Sequence, residues 1–297
     1  MSASPSITIA MAMRNNGATL AYALESLLWQ TFERWKLVLL DDGSSDDSLA
    51  VANNYKDPRI QIIADGRHLG LAARLNQAVD LAGSAYIARM DADDIAYPQR
   101  LAQQLEMLEQ HAELDLVGAG ALVFSGSGIA VGTLPLRATH EQICRRPWAG
   151  FYLAHPTWMG RTAWFRRYRY DPAALKAQDQ VLLLGAYDAS RFACLPEVLL
   201  GYRQETVSLG KVAAGRFHFC RGLIRSGQRR HAYGFMLRGI LEQAAKLAFE
   251  AIVIPTGMAR KVLRHRALPV SAAALGEWQR IWAELTRRVS ARRAGNS

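Results

Sequence analysis

Two acidic clusters carry the chemistry that this sequence can do. In "SAYIARMDADDIAYPQR", residues 84–100, a run with strand character delivers Asp91, Asp93 and Asp94 within four residues, and a proline then opens a helix. Three carboxylates at the end of a buried strand repel one another and resist ionisation, so a positive partner belongs beside them. An Asp-x-Asp in that place presents hard oxygen ligands to a divalent cation, which can hold a diphosphate at the same time. The triplet alone is weak, because acidic loop residues are commonly just solvated. About fifty residues earlier, Asp41-Asp42-Gly43-Ser44 forms a second acidic strand end. There the expected structural share is helix capping by some of Ser44, Ser45 and Asp46.

The elements that position these clusters alternate. "SITIAMA", "KLVLLD", "RIQIIAD" and "AYIARMD" read as strands. Between and after them, "ATLAYALESLLWQ", "SSDDSLAVANNY", "GLAARLNQAVDLA" and "PQRLAQQLEMLEQH" read as helices. Such alternation predicts a largely parallel sheet covered by helices, with ligands at the carboxyl ends of the strands, where both acidic clusters fall. From about residue 115 the pattern turns β-rich. "LDLVGAGALVF" and "GIAVGTLPL" predict a hairpin or meander, so "GAGALV" does not open a dinucleotide-binding turn. A helix is expected near Gln178, and "RFACLPEVLLGYRQE" closes the mixed domain as strand.

The charge divides the chain. Residues 1–210 hold 19 Lys+Arg against 22 Asp+Glu, whereas residues 211–297 hold 17 against 4, so the net charge of +10 belongs to the C-terminal part. That part reads as helical. Arg238, Glu242, Lys246 and Glu250 share one face, "MARKVLRHRAL" follows a Pro-Thr-Gly break, and a last helix aligns Trp278, Ile281, Trp282, Leu285 and Val289. Either these helices pack on the domain, or they dock on an anionic membrane surface with tryptophan at the headgroup level. Nucleic acid is not an expected partner, since no recognition motif accompanies the basic residues. Three cysteines without CxxC spacing fit a reducing cytoplasm and neither a zinc site nor a disulfide framework. The first residues lack the basic region of a signal peptide, and no apolar run suggests a spanning helix.

The series "RNNGATLAYALESLLWQTFERWKLVLLDDGSSDDS", "HLGLAARLNQAVDLAGSAYIARMDADDIAYPQRLAQQ", "HPTWMG" and "AQDQVLLL" resembles glycosyltransferase family 2 over roughly residues 6–205. The resemblance implies an α/β fold of the GT-A type, a Rossmann-like mixed sheet with a C-terminal helical appendage. The expected division is 1–210 for the transferase domain and 211–297 for a basic amphipathic region. Inverting hexosyl transfer is implied, dependent on Mg²⁺ or Mn²⁺, from a nucleotide-sugar donor, expected to be a UDP-sugar, to a hydroxyl acceptor such as a lipid-linked glycan. By position, Asp42 resembles the carboxylate that recognises the base, with Asp41 beside it and Asn15 in the nucleotide loop. Asp93 resembles the metal ligand, Asp91 the residue at ribose or sugar, and Arg74 lies in a region that commonly faces the donor. Asp179 resembles the catalytic base.

His155 and Trp158, with Trp148 and Arg161, are expected on the acceptor side. The first strand ends "MAMRNN" where the family usually has a Pro and an aromatic before Asn, and Gln178 replaces a Glu beside the base. The absence of a QxxRW-type motif argues against processive synthesis. The readings kept beside this one are a non-catalytic sugar-nucleotide-binding or scaffold protein and a nucleotidyltransferase of similar fold. The first has no use for Asp179, and the second usually carries a more basic, Gly-rich first loop. If the basic helices do bind lipid, the protein is peripheral on the inner face of the cytoplasmic membrane.

Overall fold

The computed structural model describes residues 6–204, 208–258 and 268–295. Strand β1 (Ile7–Met13) sends Ile7, Ile9, Met11 and Met13 to one face of a sheet and Ala10 to the other, all buried. β2 (Trp35–Asp41) pairs parallel with it, Ile7 opposite Trp35 and Met13 opposite Asp41. β3 (Ile60–Ala64) joins β2, and β4 (Tyr86–Arg89) joins the other side of β1, both parallel. Burial on both faces is what makes central parallel strands read as apolar runs.

Helices α1 (Leu20–Leu28), α2 (Ser48–Asn53) and α4 (Arg100–Gln110) cover the face of Ile9 and Leu39, and α3 (Leu71–Leu81) covers that of Ala10 and Val38. The second half makes the sheet mixed. β5 (Ile95–Ala96), β6 (Leu116–Phe124), β7 (Ala130–Thr133), β8 (Met159–Arg161) and β9 (Phe192–Arg203) complete the order β3-β2-β1-β4-β8-β6-β9-β5, with β7 beside β6. β8 is antiparallel to β4 and β6, while β9 runs parallel to β6. The β-rich reading of "GAGALV" holds: it lies within β6, where a Cβ on Gly118 would come 2.5 Å from Leu153.

A short helix α5 (His140–Ile143) precedes β8, then α6 (Thr162–Arg167) follows it directly, an element the periodicity did not announce, and α7 (Gln178–Ala186) starts where expected. The long helices α8 (Leu209–Arg229) and α9 (Tyr233–Val253) form a hairpin against α7, with Gly222 against Val181 and Gly227 against Met236. The expected helix over "MARKVLRHRAL" falls almost wholly outside the described residues.

The last helix, α10 (Ala272–Gly295), corrects one expectation. Its tryptophans do not stand ready for lipid headgroups: Trp278, Ile281, Leu285 and Val289 are buried, and the first three cover Tyr97, Leu122 and Phe124. Trp282 stacks on Tyr22 with centroids 5.2 Å apart. Gly128, at φ 80°, lets the indoles approach; Trp278 Nε1 donates to its carbonyl at 2.7 Å. An aromatic stripe that finds a partner surface buries there before it meets a bilayer. Among the described residues, no helix is long and apolar enough to cross a membrane.

Candidate active site

The register of β1 on β2 brings together the residues expected on the nucleotide side. Asp42 N donates to Met13 O at 2.9 Å, so Asn15 and Asp42 leave the sheet side by side. Asn15 takes a left-handed backbone, φ 55°, which asparagine tolerates. Its N–H donates to Ser44 Oγ at 3.1 Å and its amide oxygen accepts from Ser45 N at 2.8 Å. Ser44 Oγ donates to Asp41 at 2.5 Å. The two serines thus tie the strand ends together, and Asp46, not they, accepts the N–H of Ser48 at the start of α2.

Asp42 is the most heavily engaged carboxylate of the loop. It accepts from Leu69 N at 2.7 Å, Gly70 N at 3.1 Å, His68 Nδ1 at 2.7 Å and Arg74 Nε at 3.0 Å. Burial pushes its proton affinity up, but the Leu69 N–H, Arg74, His68 and the Gly70 N–H outweigh it and hold the carboxyl below its ordinary range. Arg74 departs from the donor-facing expectation: it is wholly buried and also pairs with Asp65 at 2.7 Å. His68 was not anticipated. Half-exposed, it lies between Asp42 and Arg14, whose Nη1 is 3.0 Å from Nε2.

At the end of β4, the carboxylates of Asp91, Asp93 and Asp94 offer ligand oxygens within 4.8 Å of one another. The protein supplies part of the expected counter-charge itself. Arg89, buried, closes on both oxygens of Asp91, with Nη1 2.7 Å from Oδ2. Asp93 is pushed up to about 6, first by burial and then by Asp91. Asp94 is raised well above the carboxylate range by burial, then by Asp91 and Asp93, although Arg203 N donates to its Oδ1 at 2.9 Å. Its Oδ2 is buried with no hydrogen-bond partner. An orphaned carboxylate oxygen within an all-oxygen set fits Mg²⁺ or Mn²⁺.

Asp179 sits in the first turn of α7, behind Ala177 in a left-handed conformation. Burial raises its proton affinity above the usual carboxylate range, offset in part by Gln180, whose Nε2 donates at 3.0 Å. The neutral Gln178 adds no charge there, so burial sets the direction. Gln180 is itself held by Phe151, whose N–H donates to Oε1 at 2.8 Å.

Arg89 contacts Asp91, and its charge lowers the proton affinity of Asp179, Tyr170 and His155. His155 Nε2 lies 2.8 Å from Tyr170 Oη, and burial, then Arg89, keep the imidazole neutral.

Of the other expected acceptor residues, Trp158 packs on His155 with ring centroids 4.7 Å apart, while Trp148 and Arg161 lie elsewhere. Trp158 has no exposed surface; its Nε1 donates to Leu153 O at 3.2 Å, so packing claims it. Trp148 donates to Glu242 of α9 at 3.1 Å. Arg161 stands opposite Tyr86, at the amino end of β4, far along the strand from Asp91. A charge in an otherwise apolar strand was the available signal for Arg89; Tyr170 and His68 occupy loops, and Gln180 the first turn of α7, without diagnostic spacing.

The model of the Glycosyl transferase family 2 matches residues 8–169. Putative glycosyltransferase EpsE of Bacillus subtilis (strain 168) is 39% identical over 132 residues, 43% of this chain and 48% of EpsE, so the match spans about half of that relative. Succinoglycan biosynthesis protein ExoO of Rhizobium meliloti (strain 1021) is 28% identical over 300 residues, 90% of this chain and 86% of ExoO. Residues 1–349 of TarS from S. aureus, solved with UDP-GlcNAc, superpose with a TM-score of 0.60 at 16% identity, covering 96% of this chain and 83% of that 1–349 segment. That likeness is one of fold.

Proposed function

The chain belongs to glycosyl transferase family 2, and from that premise we propose that it moves a hexosyl group, with inversion, from a nucleoside-diphosphate sugar to a hydroxyl acceptor. The proposed donor is a UDP-sugar and the proposed acceptor a lipid-linked glycan of surface-polysaccharide assembly, at the inner face of the cytoplasmic membrane. The name of ExoO, a biosynthesis protein of a polysaccharide, supports the acceptor class. One observation carries the reading: a cluster of carboxylates with raised proton affinities lies within the electrostatic reach of Arg89, as does a half-buried Asp179 of raised proton affinity. A binding or scaffold module has no use for such a base.

Asn15, Asp41 and Asp42 shape the nucleotide pocket, with Arg74 holding Asp42 in place. Asp91 faces ribose or sugar, and Asp93, with its neighbours, would hold Mg²⁺ or Mn²⁺. Such a cation, when bound, supplies Lewis-acid neutralisation of diphosphate charge. Asp179 takes the proton of the acceptor hydroxyl as that oxygen forms the new bond to the anomeric carbon. The bond to the diphosphate breaks on the opposite face, and its electrons leave with the diphosphate. His155, neutral and anchored to Tyr170, borders the acceptor side as an uncharged wall.

Calorimetric titration of UDP with and without Mn²⁺, in wild type and Asp93→Ala, tests this. Binding that needs the metal and is lost in the variant is the expected result. Equal UDP affinity with and without metal in both proteins would remove the metal role of the cluster.

A further inference from the structure

Helix α9 is turned inside out. Its apolar side chains Tyr233, Leu237, Leu241, Phe249 and Ile252 are each more than half exposed, from 56% to 69%. Its polar stripe faces the protein. Glu250 is 2% exposed and clasps Arg216 of α8, with Nε at 2.7 Å and Nη2 at 2.6 Å. Gln243 accepts from Arg216 Nη1 at 2.6 Å and donates toward the carbonyls of Trp148 and Ala149. Glu242 pairs with Arg146 and Lys246, and Lys246 also donates to Ala149 O at 3.1 Å. An ordinary surface helix presents that stripe to water and buries the leucines.

The inversion is anchored. Rolling α9 to hide its leucines would strip Arg216 and Glu250 of each other inside the protein, and a buried charge without its partner is strongly unfavourable. α8 extends the exposed side with Phe217 and Ile224, and with Arg221 and Arg225 beside them. Residues 209–253 contain only two acidic side chains, Glu242 and Glu250, and both are turned inward and paired. Within the hairpin the outward side therefore offers apolar groups and cations and no acidic side chain, and Asp171, outside the hairpin, is paired with Arg225. Soluble proteins seldom leave such a contiguous apolar surface without a partner.

We propose that the α8–α9 hairpin docks the protein on a bilayer containing anionic phospholipid, its apolar side chains at the acyl boundary and Arg221 at lipid phosphates. A helix with an apolar face flanked by arginines has the composition of an in-plane interfacial helix. A second copy of the chain fits less well, because a twofold axis through this face would set the same arginines against one another. Docking here leaves the buried tryptophans of α10 in place.

Flotation of the 297-residue chain with phosphatidylcholine vesicles, with and without phosphatidylglycerol, tests the proposal. Wild type is expected to float with the anionic vesicles. The double variant Leu237→Glu, Leu241→Glu, whose sites are exposed and so compatible with the fold, should lose at least about tenfold in partitioning. Arg221→Gln should lose about fivefold. Light scattering is read alongside, and UDP titration of the same samples keeps the donor site out of the question, since neither variant touches it. Failure of wild type to float, equal flotation of the double variant, or a wild-type dimer that the double variant dissolves would each overturn the proposal.

Discussion

Arg89 stands two residues before Asp91 on β4, and its guanidinium closes on both oxygens of that carboxylate. Arg89 is the last residue of β4 and Asp91 lies two residues beyond it, so the pair closes over the strand end. It gives the triplet an asymmetry: Asp91 has a fixed partner, whereas Asp93 and Asp94 are held at raised proton affinity. Replacing Arg89 by Met should destabilise the protein by about 2–4 kcal/mol, below the full cost of breaking a buried pair because Asp91 keeps some access to water. Urea unfolding measures it; a change inside experimental error would mean that the pair contributes nothing.

The raised proton affinity of Asp93 makes stability depend on pH. A carboxyl at about 6 in the folded protein, above its ordinary value of 3.8, stabilises the fold while protonated, and that contribution fades as pH climbs from about 4 through 6. Under chelator, Asp93→Asn should therefore gain on wild type across that window, by on the order of 2 kcal/mol. Parallel stability profiles for the two proteins would contradict the environment described for Asp93.

Substitution of Asp179 by Asn should lower transfer by about 10²–10⁴-fold, the contribution of a positioned base, and leave UDP affinity as it was. Single-turnover transfer paired with calorimetry separates the two. Loss of both together would assign Asp179 to donor binding.

Arg74 provides a test of positioning at a distance. Arg74→Met should cost about 3–5 kcal/mol, since Asp42 and Asp65 both lose a partner around a guanidinium with no solvent access. Arg74→Lys, restoring the charge without the fork, should recover part of the stability and little of the nucleotide affinity. If Lys restored UDP binding in full, the fork would have no part in shaping the Asp42 loop.

For α10 the expectation concerns the core. Trp278→Ala should cost about 3–5 kcal/mol, as for other large buried side chains, while Leu241→Ala on the outward side of α9 should stay within about 0.5 kcal/mol. Similar thermal midpoints for wild type and Trp278→Ala would show that α10 is not held where it is described.

The sequence made the first half legible because each strand there is an apolar run and each crossover helix has its own 3.6-residue stripe. Asp91, Asp93 and Asp94 could be placed for the same reason: strand ends locate themselves. Periodicity also found the charged stripe of α9, Arg238 to Glu250, but could not say which way it turns. That choice is made by Arg216 on the preceding helix and by the carbonyls of Trp148 and Ala149, more than ninety residues away in the chain. The Trp stripe of α10 failed likewise, because an aromatic row for a membrane and one for a groove have the same spacing. Arg74 and Trp158 look like surface and ligand-facing residues only until their neighbours Asp65 and Leu153 are seen.

Tyr22, near the start of the chain, stacks on Trp282, and Glu25 accepts from Arg292 at 2.5 Å. The first helix thus receives its outer cover from the last one, after about 260 further residues have been synthesised. During translation the aromatic surface of Tyr97 and Phe124 stands bare for most of the time the ribosome needs, and no local rearrangement can hide it. Contacts of such long sequence separation form late and leave the nascent chain open to aggregation. The cover over this surface therefore arrives only once residues 272–295 have left the ribosome, and the yield in a cell depends on what shelters it until then.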